Sequence, residues 1–287
     1  MTSYVSGDII GGLGNHLFII AAVLAYSAKS GKKVVFKYEE NLGNMYNLPR
    51  KTFWKTLFKN QFNVLEPEEY YKILFRALLE RHSYTYQEIP VIPQNLLLKG
   101  YYQSFQYIDD ETRKKMLDII YSNDDIMYIA YDKYNKIKAQ FNCDDDDMVS
   151  IHVRRTDFCY GNYHVTMDKN YYQQALAIAN KKNIVVFSDD INWCKQNIDR
   201  SWYNYDNIYF VDENNANDSD NCSVEIEFIL MSMFQHNIIA NSTFSLWASY
   251  ISTYQQPKII VAPKLWFGPG GPTNWGQIYH KNITHII

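Results

Sequence analysis

Two adjacent arginines close a strand-like run, SIHVRRTDF, over Ser150–Phe158. Ile151 and Val153 alternate with His152 and Arg154, and Asp157 follows. A planar guanidinium can hold two oxygens of a phosphate through parallel hydrogen bonds. Two further polar clusters share that character. SDD, Ser188 to Asp190, ends a second apolar run, and an aspartate there can accept two N–H donors from a guanine edge or hold a ribose hydroxyl. NSTFS, Asn241 to Ser245, ends another run and opens a helix, so Ser242, Thr243 and Ser245 sit where unpaired N–H groups and the helix dipole favour an anion. Each cluster also has a plain structural explanation. Ser242, Thr243, Asp189 or Asp190 could simply cap a helix, and one of Arg154 and Arg155 could form a strand-end ion pair. Their common place at strand ends is what makes them a nucleotide-diphosphate site.

The elements that must position these residues can be read from pattern. Residues 3–9 predict a strand, GGLG a turn, NHLFIIAAVLAYSAKS a helix capped by Gly31, and KKVVFKY a second strand. From 50 to 140 the pattern is mostly helical: EPEEYYKILFRALLERHS opens with acids and has apolar spacing near 3.6, LLLKGYYQSFQY interrupts as strand and loop, and DDETRKKMLDIIYS resumes a helix. After CDDDDMV, short apolar strands alternate with helices: MVSIHVR, NIVVFS, NIYFV, NIIAN and PKIIVAP are strands separated by four helical segments. Nearly continuous apolar strands spaced by helices predict a parallel sheet covered on both faces. In such sheets ligands bind beyond the carboxyl ends of the strands. The expected architecture is α/β, with two Rossmann-like domains facing a cleft: residues 1–143, and residues 144–287, binding the nucleotide.

Composition narrows the function classes. The chain has 287 residues, 47% hydrophobic and 21% charged, ordinary for a globular protein. The net charge of -3 and pI of about 6.2, with no long Lys/Arg run, argue against a nucleic-acid partner. The four cysteines, Cys143, Cys159, Cys194 and Cys222, form no C-x-x-C pair and no zinc spacing, which fits a reducing compartment. The N-terminus lacks a basic region ahead of an apolar run, and HLFIIAAVLAYSA is shorter than the roughly 20 residues that span a bilayer. The expectation is a cytoplasmic, unanchored protein, with the sequons at Asn217, Asn221, Asn241 and Asn282 arising by chance in an Asn-rich chain. The 25 tyrosines suit strands and cores as well as sugar stacking. In DIIGGLGNHLF, Leu17 stands where a dinucleotide fingerprint needs its third glycine, which disfavours an NAD(P) oxidoreductase. Asn15 could still donate to a phosphate from that loop. The D-x-D spacing in residues 144–147 precedes its strand and reads as a solvated interdomain loop.

In chain order, GGLGNHLF, GYYQSFQY, HVRRTDF, FSDD and NSTFSLWASY resemble the α-1,2-fucosyltransferases, within a superfamily that includes α-1,6- and protein O-fucosyltransferases. The resemblance covers residues 9 to about 253 and implies a GT-B-like fold, GDP-L-fucose as donor, a glycan acceptor, inversion at the anomeric carbon and no metal. It implies that Arg154 holds the β-phosphate, that His152 lies by the nucleoside, that Asp190 reads guanine, that Ser245 contacts phosphate and that Asn15 approaches the β-phosphate or fucose. TDF replaces the family's frequent Gly-Asp-Tyr after the arginines, and His16 replaces a glutamine, differences that bear on acceptor and sugar more than on fold. For the acceptor proton, Asp157 is the candidate base, His164 and Asp168 are alternatives, and a base-free route is open. Two other readings stand beside this one: the same fold with another nucleotide sugar, such as a rhamnose donor, and a catalytically silent nucleotide- or glycan-binding protein.

Overall fold

The computed structural model describes residues 3–45, 48–212, 223–253 and 257–287. Asn217, Asn221 and Cys222 lie outside the described residues. Contacts divide the chain into two compact units, residues 1–123 with 274–280 and residues 124–273 with 281–287. The break falls at 123/124 and not at the 143/144 boundary expected from sequence.

The first unit starts with β1 (Tyr4–Gly7) and α1 (Leu13–Ser30), followed by β2 (Lys33–Val34), β3 (Phe36–Lys37), β4 (Asn41–Met45), β5 (Leu48–Lys51) and β6 (Val64–Leu65). It continues with α2 (Pro67–Tyr70), β7 (Phe75–Leu79), β8 (Asn95–Lys99) and α3 (Asp110–Ile120). Its main sheet is parallel, in the order β2-β1-β8-β7. Helix α1 buries residues all around its surface, as a helix pressed between layers must. It sits so close to β1 that a Cβ on Gly7 would lie 2.5 Å from Ile19 Cγ2. Gly31 ends α1 in the left-handed region, at φ 69°, and its N–H bonds to the Ser27 carbonyl.

Two expectations fail in this unit. KKVVFKY is two short strands: Lys33–Val34 pairs with β1, whereas Phe36–Lys37 pairs with β6. The predicted long helix over EPEEYYKILFRALLERHS shrinks to Pro67–Tyr70, and Phe75–Leu79 forms the edge strand β7 beside β8. Phe75 and Leu78, three residues apart, are its half-buried positions, which imitates helical spacing in so short a run. The ladder with NLLLK decides the conformation, and a ladder is invisible to local periodicity.

The second unit begins with α4 (Asp124–Phe141), which packs on α7 (Val224–Ser232) and therefore belongs here. Between them come β9 (Met148–Val153), α5 (Lys169–Ala179), β10 (Asn183–Ser188), α6 (Ile191–Asn197) and β11 (Asn207–Phe210). After α7 follow β12 (His236–Ile238), α8 (Thr243–Ile251), β13 (Ile260–Ala262) and β14 (His285–Ile286). All six strands are parallel, in the order β11-β10-β9-β12-β13-β14. Counted within the unit, this is the doubly wound order 3-2-1-4-5-6. Every residue of β9 is buried, as a central strand covered on both faces requires. Val149, Ile151 and Val153 face Tyr172, Leu176, Ile184, Val186 and Ile238 in one apolar layer.

The aspartate run lies within this unit and not between the two units. Asp145 pairs with Lys138, Asp146 with Lys181 and His236, and Asp144 and Asp147 form a capping box, all at the amino end of β9. Among the described residues, no helix is long and apolar enough to cross a membrane.

Candidate active site

The strand order brings the three polar clusters to one edge. Strand β9 runs between β10 and β12, with Val153 beside Ser188 and Ile151 beside Ile238. Arg154, Asp189 and the start of α8 therefore leave the sheet at the same carboxyl end. Between β9 and β12 the winding reverses, and this is where open α/β sheets take ligands.

Arg154 is fixed by two acids. Its Nη2 donates to Asp157 and its Nη1 to Asp189. Its guanidinium lies 4.9 Å from the centre of the Phe158 ring, which stacks on His164 at 3.9 Å and 4°. Asp189 also accepts the Arg155 backbone N–H at 2.8 Å, and the Thr156 hydroxyl lies between Asp157 and Asp189. Arg155 points elsewhere: its guanidinium lies 3.6 Å from the centre of the Trp193 ring, and its Nε donates to Asp190 at 3.4 Å. The two arginines thus separate into one at the switch-point edge and one tied to α6.

His152 and Ser245 meet across the switch point, with 2.9 Å between Nδ1 and Oγ. Burial, reinforced by the Arg154 charge, pushes the His152 imidazole down to about 3, so it is neutral at physiological pH. Ser245 is 0% exposed, and its hydroxyl also lies near the carbonyls of Ala240 and Ser242. The expected direct phosphate contact by Ser245 does not fit this burial; its hydroxyl secures His152 to α8. Ser242 and Thr243, both half-buried, stand at the helix N-terminus, and the Ser242 side chain makes no capping bond.

The remaining predicted residues take identifiable places. The Asp157 side chain is 4% exposed and faces Arg154, which makes it an ion-pair partner of that arginine and not a base open to an acceptor hydroxyl. Asp168 caps α5, accepting from the Tyr171 N–H at 2.9 Å. Asp190 caps α6 through the Trp193 N–H at 3.2 Å. His164 is held neutral, down to about 4, first by burial, with Asp157 raising and Arg154 lowering it; its buried Nδ1 has no hydrogen-bond partner. Asn15 stands in the first unit, on the opening turn of α1, where its Oδ1 accepts from Gln103 at 2.7 Å. Sequence reasoning missed the roles of Asp189, Phe158 and Trp193. SDD drew attention to Asp189, but no spacing rule could say that its carboxylate turns back to the arginine strand.

The sequence matches the model of glycosyl transferase family 11 over residues 15–268, most of the chain. The chain belongs to glycosyl transferase family 11. Among relatives of this family 11 chain, it is 25% identical to the Escherichia coli O-antigen biosynthesis glycosyltransferase WbnK, over 90% of this chain and 93% of that one. It is likewise 25% identical to an Escherichia coli alpha-1,2-colitosyltransferase, over 92% and 93%. A gorilla galactoside alpha-(1,2)-fucosyltransferase 2 is 32% identical across 36% of this chain and 30% of its own. Among solved structures, fucosyltransferase NodZ from Bradyrhizobium superposes with a TM-score of 0.54 at 11% identity, covering 88% of this chain and 94% of that one. POFUT1 in complex with GDP-fucose does so with a TM-score of 0.54 at 12% identity, covering 91% and 98%. At such identities the likeness is one of fold: the family 11 chain is α/β and GT-B-like.

Proposed function

We propose that this family 11 glycosyltransferase moves L-fucose from GDP-L-fucose to a hydroxyl, O2 of a terminal β-galactoside, with inversion and without a metal. The observation that carries the reading is Arg154, held at the switch point of a doubly wound sheet with its guanidinium braced on two sides and one face. Breaking the bond between sugar and GDP builds negative charge on the β-phosphate. Fixed cations and N–H donors that need no reorganisation stabilise that charge best. Arg154 and the open end of α8 supply them, while neutral His152 adds no competing charge change near pH 7. The sugar develops oxocarbenium character, and the acceptor hydroxyl attacks the opposite face. With Asp157 paired to Arg154 and Asp168 capping a helix, catalysis here rests on stabilising the leaving group more than on a carboxylate base.

A second donor has specific support. The relative named as a colitosyltransferase aligns along 92% of this chain, whereas the fucosyltransferase 2 relative aligns along 36%. Another nucleotide-activated deoxysugar on the same phosphate site is therefore the alternative. Incubation with GDP-L-fucose, then with GDP-linked deoxysugar analogues, over a panel of β-galactosides decides between them. GDP release and product mass identify donor and acceptor, and the anomeric coupling of the product reports inversion. No release from any of these donors would refute the reading.

A further inference from the structure

We propose, resting on the donor assignment above, that Asp189 is a positioning residue whose carboxylate sets the orientation of the Arg154 guanidinium toward the leaving phosphate.

Three consecutive residues converge on this one side chain. Asp189 Oδ2 accepts from Arg154 Nη1 and lies within reach of the Thr156 hydroxyl, while Oδ1 accepts from the Arg155 backbone N–H at 2.8 Å. Asp157 holds the other terminal nitrogen, and Phe158 covers a face. An arginine side chain is free to rotate about several bonds, and a single acid would leave its fork able to swing. Two acids on different nitrogens and an aromatic ring beneath leave one plane. Among the described residues, Asp157 and Phe158 restrain the fork from within its own segment, whereas Asp189 comes from outside it and ties the fork to the end of β10.

Stability alone does not account for this arrangement. A backbone N–H to carboxylate bond from Arg155 would join β9 to β10 by itself. The additional Arg154 pair is largely shielded, with side-chain exposures of 14% and 20%, and such pairs add little net stability because both charges lose water. What the pair does add is a fixed direction, and a displacement of about 1 Å at a reacting centre can cost on the order of 100-fold in rate. Arg154, Arg155 and Thr156 already engage both Asp189 oxygens, which suits the side chain to holding a neighbour in place.

The test is a double-mutant cycle on GDP release from GDP-L-fucose with N-acetyllactosamine as acceptor. Asp189→Asn removes the charge and leaves one amide oxygen where two carboxylate oxygens accept from Arg154 and from the Arg155 N–H, so it cannot serve both donors, yet the side chain keeps its size. The expected result is a kcat about 10- to 100-fold lower, with KM for the donor changed by no more than about threefold, the mark of an interaction made in the transition state. Combined with Arg154→Lys, it should add no further loss beyond that of Arg154→Lys alone, because both act through one group. Multiplying losses would overturn the assignment, as would a near-normal kcat for Asp189→Asn. Should that variant not fold, Asp189→Glu keeps the charge but moves it one carbon outward; its kcat is expected to fall similarly, and a wild-type kcat there would overturn the assignment too. A silent wild-type protein overturns the donor reading and the proposal together, whereas an active wild type with multiplying losses overturns the proposal alone.

Discussion

Arg154→Lys separates charge from geometry. Arg154 uses one N–H on each terminal nitrogen to reach Asp157 and Asp189, which leaves its other N–H groups for the phosphate. Lysine keeps the positive charge but concentrates its donors on one nitrogen, which cannot span two acids and still present a fork. Losing one donor aimed at developing charge costs about 2.7–4 kcal/mol, roughly 10²- to 10³-fold in kcat. An apolar replacement would be less informative. It would take the cation away from the Asp157 carboxylate, 4% exposed, and breaking a buried pair costs roughly 3–5 kcal/mol of folding stability. Steady-state kinetics on the folded variant, with thermal melts beside them, measures the effect. The expected outcome is a kcat at least about 100-fold lower, with GDP affinity far less affected. A near-normal kcat would remove the fork from the mechanism and leave Arg154 as a strand-end ion pair. Arg155→Lys should be milder, since Arg155 lies on Trp193.

Three further outcomes follow from the geometry. Chelation with EDTA should leave transfer unchanged; loss of activity restored by Mg²⁺ or Mn²⁺ would refute a metal-free mechanism. Asp190→Ala removes the cap at the Trp193 N–H and should lower stability by about 1 kcal/mol in urea titration; if Asp190 also reads guanine, calorimetry will show GDP weakened more than pyrophosphate, and equal weakening would leave it a cap alone. His16 and His152 are both buried, and burial lowers them from 6.5 to about 4 and about 3, so below pH 6.5 the unfolded chain takes up protons that the folded chain refuses. Stability should therefore be fully present above pH 6.5 and fall with pH, by about 2 kcal/mol per histidine at pH 5; urea midpoints that stay equal at pH 7 and pH 5 would contradict this.

Much of the site was legible because short motifs at the ends of apolar runs carry their own chemistry. SIHVRRTDF, NIVVFS and NIIAN predicted buried parallel strands, and the polar residues after each belong at the carboxyl edge of such a sheet. Gly31 as a cap and the α3 segment after the acids at 109–111 follow from local backbone and dipole preferences that need no partner. FRALL was misread because a five-residue run does not distinguish helix from strand, and only its ladder with NLLLK makes it β7. The 143/144 boundary rested on composition, whereas packing of α4 on α7 assigns that helix to the second unit.

The sequence alone determined which residues could meet a nucleotide diphosphate: Arg154, Arg155 and the serines opening α8 for its phosphates, and the two aspartates of SDD for its base or ribose. The tertiary structure decided which of them do what. Strand order placed β10 and β12 on either side of β9, and that adjacency turned Asp189 toward Arg154 and buried Ser245 against His152. It also gave Asp157 a partner in place of a free lone pair and laid Arg155 over Trp193. Propensities and spacings act between residues a few positions apart. The role of a charged side chain is fixed by neighbours more than thirty residues away in the chain, as between Arg154 and Asp189, and only the folded sheet brings such neighbours within hydrogen-bonding distance.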